Sequence, residues 1–584
     1  MKVTTKWSDG AGACWALLAL GVAVMIAGLG GYSLQSPDEG RYAEAGREMV
    51  ESGNWLVPQF AYMERLNKPP LIYWATASAY RLFGVSETAA RLVPAVAALL
   101  GILVIFQLGS SMFGRKGGLA SSVVAVGSLW YVILARVIIT DMVLCFWMTL
   151  TFAALWWAVH SRRWSHYLLF FVGAAGAMLT KGPVGLVLPA LAGMVYLTLT
   201  RQWKAIRWPA VAAGFALYAA LSFPWFAVLQ AKYPSFLKYM FLSENMARFA
   251  GKYHNDQPLY FYVPIVVLGM GLWCLPLAAA AWKDGVRFRR DGLRSEANSA
   301  PLFLWLWFLV VFAFFSISKA KLPTYVLPCF PALALLVGKE WAGALGKEGN
   351  ATAEPARVRL GVFVTALLAF LGVGAIAYGM LGKSPAPDLR IPAGLLLGLT
   401  SLAGAAAGIW ALVRRTARSL FLGIAMAAVL LTAGVIQAAQ LIISGEDIAP
   451  FAAAVAARVG PDDHVVLFRA DRMTAFYFYL GKALGSAKRV ENLPSLKRQD
   501  VYGDTDERDE DRSFGTASRD LLQIAESGQG LFCVMRKDDY KKLRSRLAPA
   551  GCNTVLAENR QFLLVTNRAD SGDSPQRHRG RREE

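Results

Sequence analysis

The feature that most limits what this chain can fold into is a series of apolar runs of about 20 residues, the length an α-helix needs to cross the hydrocarbon of a bilayer. Thirteen are read near residues 14–31, 90–111, 117–135, 139–159, 165–180, 182–200, 208–229, 258–281, 302–318, 322–338, 359–381, 391–413 and 418–442. A soluble core cannot hide so many. Only 17% of the 584 residues are charged and 55% are hydrophobic, whereas a soluble protein is about 25% charged. The sequence predicts a polytopic α-helical membrane protein with about 13 transmembrane helices. The first run follows Lys2 and Lys6 as a signal peptide would, but it lacks a small-x-small cleavage site and reads as a retained helix.

The formal charge of +20 could point to nucleic acid, yet most basic residues before the C-terminal quarter sit in short loops. Arg115-Lys116, Arg162-Arg163, Arg201 to Arg207, Lys283 to Arg294, Lys339 to Arg357 and Arg414 to Arg418 all fall on the side of the N-terminus. Such loops mark the cytoplasmic face, so the charge reports topology and no nucleic-acid partner is expected. An odd number of spans places everything after Leu441 on the opposite face. The expected domains are a transmembrane domain over 1–442, whose first outward loop is 32–89, a small α/β domain over 443–566, and a disordered tail over 567–584.

The first outward loop is polar where its flanks are not. Ser36 suits an N-cap, Pro37 the first helical position and Glu39 a capping box, predicting a helix that runs to Ser52 and stops at Gly53. Asp38, Arg41, Tyr42 and Ala45 then share one face. That face could hold a ligand; equally, Asp38 could only complement the helix dipole and pair with Arg41. Further along come Asn67-Lys68-Pro69-Pro70, Asp141 at a helix mouth, Lys181 in a tight turn, and Lys319 and Lys321 before Leu322-Pro323-Thr324-Tyr325. Singly, each reads as a boundary marker that reaches the interface. Together with Arg41 and Arg248 the lysines would form a basic patch fit for a phosphate or an anionic headgroup. The loop 230–257 is long, contains an amphipathic stretch and carries His254, and long ordered loops are usually functional.

After Leu441, apolar runs at Val465–Phe468, Leu531–Met535, Thr554–Ala557 and Phe562–Val565 alternate with helix-like segments. Lys497 to Arg512 is charged and reads as loose. Cys533 and Cys552 could pair in an oxidising compartment, while the other four cysteines lie in apolar runs.

The order Ser-Pro-Asp-Glu-Gly-Arg-Tyr, Lys-Pro-Pro-Leu, an Asp at a helix mouth, Leu-Thr-Lys-Gly-Pro and Lys-x-Lys-Leu-Pro-Thr-Tyr resembles the bacterial aminoarabinose transferases of lipid A. These are polyprenyl-phosphate-sugar glycosyltransferases of the GT-C fold, related to protein O-mannosyltransferases. The resemblance, specific over about Tyr32 to Gly338, implies a bacterial inner-membrane enzyme with amphipathic periplasmic helices, a cytoplasmic N-terminus, and a periplasmic active site and C-terminal domain. It implies an undecaprenyl-phosphate-sugar donor, a lipid or protein acceptor and contact with membrane lipids. It assigns catalysis to Asp38, with Asp141 able to share the role, and donor phosphate binding to Arg41, Lys68 and Lys181. Tyr42, His254 and Tyr325 would line the pocket; Arg248 and Lys319, members of the basic patch, are further candidate substrate contacts on their charge alone. In that family a Glu precedes the lysine matching Lys68 and binds a metal with a histidine like His254. Asn67 replaces it here, which leaves a divalent cation on Asn67 and His254 open. A transporter or flippase is the alternative class, since charges near the membrane can also mark a substrate path.

Overall fold

The computed structural model describes residues 9–247, 257–346, 351–382, 387–470, 473–485, 490–493 and 510–568. The chain divides into two compact units, one of residues 1–32 and 45–444 and the other of residues 33–44 and 445–584.

The first unit is almost wholly helical. Its elements begin with α1 (Asp9–Ile26), α2 (Asp38–Ser52, whose first turns belong to the second unit), a two-strand hairpin β1 (Gln59–Phe60) and β2 (Met63–Glu64), and α3 (Leu71–Phe83). Then come α4 (Glu87–Val126), α5 (Leu129–Leu134), α6 (Thr140–Ser161), α7 (Trp164–Lys181), α8 (Val184–Thr200) and α9 (Trp208–Lys232). They are followed by α10 (Tyr262–Met270), α11 (Cys274–Asp291), α12 (Glu296–Ile317), α13 (Phe330–Trp341), α14 (Pro355–Leu381), α15 (Pro387–Arg414) and α16 (Ala417–Ser444). All thirteen apolar runs fall on helix in their main part. Among the described residues, eight helical stretches are long and apolar enough to cross a bilayer, and α1 and α8 supply shorter apolar helices. The chain is an integral membrane protein.

Three runs differ in detail from expectation. Runs two and three are joined in α4, where Gly114 takes a non-helical φ of 74° and breaks one long helix into two. The tenth run opens with a 3₁₀ turn over Pro323–Cys329 before α13, because Pro323 and Pro328 remove amide donors that a continuous α-helix would use.

Side chains of α14 such as Phe370 (76% exposed) and Leu381 (83% exposed) face outward, as expected where lipid is the solvent. Between helices, close packing supplies the stabilisation that water-driven burial cannot. Phe152 of α6 stacks on Trp307 of α12 at 4.2 Å and 12°, a pair worth about 0.5–1.5 kcal/mol beyond its contact area.

Two buried arginines close the end of α1. One guanidinium nitrogen of Arg136 donates to the carbonyls of Val24 (2.6 Å) and Met25 (3.0 Å). Arg91 donates to Leu29 and Tyr32, both at 2.7 Å, and lies 3.7 Å from the centre of the Tyr32 ring. Cations at a helix C-terminus satisfy carbonyls that the helix itself leaves open.

The second unit adds α17 (Ala449–Ala456), β3 (His464–Phe468), α18 (Thr474–Leu484), β4 (Val490–Leu493), α19 (Glu510–Glu526), β5 (Leu531–Arg536), α20 (Lys537–Leu547), β6 (Thr554–Glu558) and β7 (Phe562–Thr566). Its sheet has the order β4-β3-β5-β7-β6. β3 pairs in parallel with β4 and β5, and β7 runs antiparallel to β5 and β6. The parallel strands need crossover helices, which α18 and α19 provide, and both faces of β3 are buried, so it reads as a continuous apolar run. Val466, Phe468, Leu521, Leu531 and Leu543 are in the core.

Cys533 and Cys552 belong to that same core, but both are free thiols, so the expected bridge does not form. Cys552 turns back toward the Ala550 carbonyl (3.8 Å), and burial pushes its thiol up to about 11. The charged stretch read as loose lies mostly outside the described residues, and its last residues, 510–512, begin α19. The tail beyond 568 also lies outside them.

Candidate active site

In the second unit, α2 begins at Asp38 and, as expected, ends at Ser52 before Gly53 with φ 68°. An Arg41 guanidinium nitrogen lies 3.5 Å from an Asp38 carboxylate oxygen, the two side chains being 35% and 62% exposed. Tyr42 is buried. Ser36 does not cap α2. Its hydroxyl accepts from the backbone N–H of Ala475 (3.1 Å), and the Thr474 hydroxyl donates to the Pro37 carbonyl (2.6 Å), so a contact distant in sequence replaces the local cap. Glu39 still reaches back, accepting from the Gln35 N–H at 2.9 Å.

In the first unit, the chain after α2 is pinned before it reaches Lys68. Glu48 accepts from the Tyr62 N–H (3.0 Å), and Arg47 donates to the Tyr62 hydroxyl (3.0 Å), which holds the β1–β2 turn against α2. Arg65 donates to the Tyr73 hydroxyl (3.0 Å), and the Trp74 indole to the Trp55 carbonyl (2.6 Å). Lys68 leaves this braced segment just before α3.

Lys68 and Lys181 both line a cavity of about 440 Å³. Tyr325, Glu244, Val187 and Phe314 are also in its wall. Lys181 ends α7, where Gly182 with φ 99° makes the turn, and Asp141 stands in the first turn of α6. Each charge suits its helix end. They meet at 2.6 Å, with side chains 14% and 9% exposed, and the Lys181 ammonium lies 4.0 Å from the centre of the Tyr325 ring. Lys68 donates to Glu244 at 3.0 Å, and Glu244 also accepts from the Tyr239 hydroxyl at 3.0 Å.

Not every predicted cation joins this cavity. Lys319 is exposed and absent from its wall, and Lys321 is buried with its ammonium donating to the Gln257 carbonyl at 2.8 Å. Arg248 and His254 lie outside the described residues. Glu244 is the residue that sequence reasoning missed. It sits on a π-helical segment, Tyr239–Ala247, a geometry that often marks functional positions. Its only signal was its place in the amphipathic stretch of the 230–257 loop.

Residues 67–226 match the family model described as dolichyl-phosphate-mannose-protein mannosyltransferase. The undecaprenyl phosphate-alpha-4-amino-4-deoxy-L-arabinose arabinosyl transferase of Pseudomonas savastanoi is 32% identical over 406 residues, which cover 68% of this chain and 72% of that one. The chain belongs to this aminoarabinose transferase family. Family members from Pseudomonas aeruginosa (30% identical, over 63% of this chain and 66% of the relative) and Shewanella sediminis (34%, over 53% and 56%) match shorter spans. The crystal structure of ArnT from Cupriavidus metallidurans bound to undecaprenyl phosphate shares the fold, with a TM-score of 0.78 and 23% identity over 97% of this chain and 99% of that one.

In this arabinosyl transferase family member, Asn67 is the position that bears on a metal. Its side-chain oxygen is buried and accepts no hydrogen bond from the described residues, and a carboxamide brings no charge to offset a divalent cation beside the Lys68 ammonium. Among the described residues no three His, Cys, Asp or Glu side chains converge on a metal position. His254, the other candidate ligand, lies outside the described residues.

Proposed function

We propose that this transferase moves a 4-amino-4-deoxy-L-arabinose-like sugar from undecaprenyl phosphate to a phosphate group of lipid A on the periplasmic side of the bacterial inner membrane. The observation that carries this reading is the cavity that combines Lys68, Lys181 and Tyr325 with apolar Val184, Val187, Leu188 and Phe314. An anionic group on an isoprenoid chain has that division of character. The name of the Pseudomonas savastanoi relative supports the donor.

The acceptor oxygen attacks the anomeric carbon, the bond from that carbon to the donor phosphate oxygen breaks, and undecaprenyl phosphate leaves with the electron pair. Lys68 and Lys181 neutralise the charge that gathers on the leaving phosphate. Asp141 holds the Lys181 ammonium in place. Lipid A phosphate is already anionic, so no proton need be taken, and Asp38 steadies positive charge at the sugar or positions the acceptor. With a hydroxyl acceptor, Asp38 would instead take the proton as general base. A second reading, transfer of a hexose to a protein hydroxyl, is favoured by the mannosyltransferase family match over 67–226 and by Asn67.

The test is transfer by detergent-purified protein from undecaprenyl-phosphate aminoarabinose or undecaprenyl-phosphate hexose to lipid A or a peptide, followed by mass spectrometry. Aminoarabinose on lipid A is the expected product, and transfer of hexose alone would establish the second reading. Asp38→Asn is expected to lower kcat by roughly 10²- to 10⁴-fold. Full activity in that variant would remove Asp38 from the chemistry.

A further inference from the structure

The second unit holds the segment that carries Asp38 at several points. The Ser33 hydroxyl donates to the Asp447 carboxylate, and the Leu34 N–H donates to the Tyr479 hydroxyl at 2.8 Å. Ser36 and Pro37 are bound by Ala475 and Thr474, the first residues of α18. Gly40, in the first turn of α2, packs against the same place: a Cβ there would lie 2.3 Å from the Ala475 nitrogen and 2.5 Å from the Thr474 hydroxyl oxygen. Glycine is a poor residue inside a helix. Its presence two residues after Asp38 is explained by this backbone approach.

In an open sheet with parallel strands, the crevice beyond the carboxyl ends of the strands is the usual place for a ligand, and helix N-termini there offer free amides. The N-terminus of α18 follows the carboxyl end of β3, yet its Ala475 amide is given to Ser36. The position is filled by the chain's own Ser36-Pro37 segment. A site that elsewhere binds substrate is here used to hold backbone.

We infer that Thr474, Ala475 and Gly40 are positioning residues for Asp38, and that the C-terminal α/β domain acts as a clamp fixing the first turn of α2 in its reactive placement. This rests on the reading of Asp38 given above. A reacting group must be held closely, since a displacement of about 1 Å can cost about 10²-fold in rate. The clamp acts on the chemical step and leaves donor affinity to Lys68 and Lys181.

The experiment compares Thr474→Val, Thr474→Ser, Gly40→Ala and Asp38→Asn in the full-length purified protein, using whichever donor the wild type turns over. The readouts are kcat, donor KM and Tm. Thr474→Val is expected to lower kcat roughly tenfold and Gly40→Ala roughly 10²-fold, with donor KM within about twofold. Thr474→Ser keeps the hydroxyl on the Pro37 carbonyl and is expected to restore kcat. Wild-type kcat in Thr474→Val, a rise in KM at constant kcat, or failure of Thr474→Ser to rescue would overturn the clamp. If Gly40→Ala does not fold, the two Thr474 variants decide. An inactive Asp38→Asn beside an active Thr474→Val removes the clamp alone, whereas a fully active Asp38→Asn removes the reading of Asp38 and the clamp with it.

Discussion

Glu244 places a negative charge 3.0 Å from the lysine that a phosphate would use. Both side chains are largely shielded, at 18% and 6% exposure for Lys68 and Glu244, so the pair is screened less than a surface one. An incoming phosphate must compete with this carboxylate. Glu244→Gln is therefore expected to tighten binding of undecaprenyl phosphate by roughly threefold to tenfold, measured by titration of the purified protein. Weaker binding would mean that Glu244 orients Lys68 instead of opposing the ligand. Asp141, Lys68 and Lys181 were legible in the sequence because charged groups beside apolar runs need a reason to be there, and Tyr325 only through the family motif that contains it. Glu244 was not, since a Glu in an amphipathic stretch has solvent as its ordinary surroundings, and its burial comes from tertiary packing of a π-helical turn. Ser36 shows the converse: its local capping signal was clear, and a contact with Ala475 displaced it.

Individual helices were legible because a span must be about 20 residues long and apolar, which leaves little room for another assignment. Gly114 escaped notice as the break in α4, although the charged pair after it marked the loop. In the second unit, β3, β5, β6 and β7 were visible as short apolar runs. β4, Val490-Glu491-Asn492-Leu493, was not, because half of its residues are polar and it is an end strand of the described sheet. The start of β3 is tied by Asp463, whose carboxylate pairs with Arg568 and accepts from the Gly460 N–H at 2.7 Å. Burial pushes its carboxyl up, but the Arg568 and Gly460 contacts outweigh this and hold it below the ordinary 3.8. A carboxyl lowered in the folded state adds stability that is fully present above its unfolded value and is lost as pH falls through the folded one. Exchange protection at the start of β3, corrected for the intrinsic rate, should fall as the pH drops below 3.8. Asp463→Asn should show lower protection at neutral pH and no such fall; an unchanged pH response in that variant would assign it to another group.

Across the molecule, the six basic loops predict orientation. A reporter fused after Leu441 should be active outside the cytoplasm, and one fused beside Arg289 active within it. Cytoplasmic activity after Leu441 would mean that one apolar helix does not cross. The apolar pattern made the helices themselves legible, but not which of them meet, because lipid and protein interior select the same residues. The arginines at the end of α1 set an order of events during synthesis. Val24 and Met25 leave the ribosome well before Arg136, which lies 112 and 111 positions later. Until then, the carbonyls that Arg136 will engage must borrow partners from water or headgroups at the membrane surface. The first helix is thus made early but finished late, since two of its last carbonyls gain their arginine partner only once more than a hundred further residues have been added.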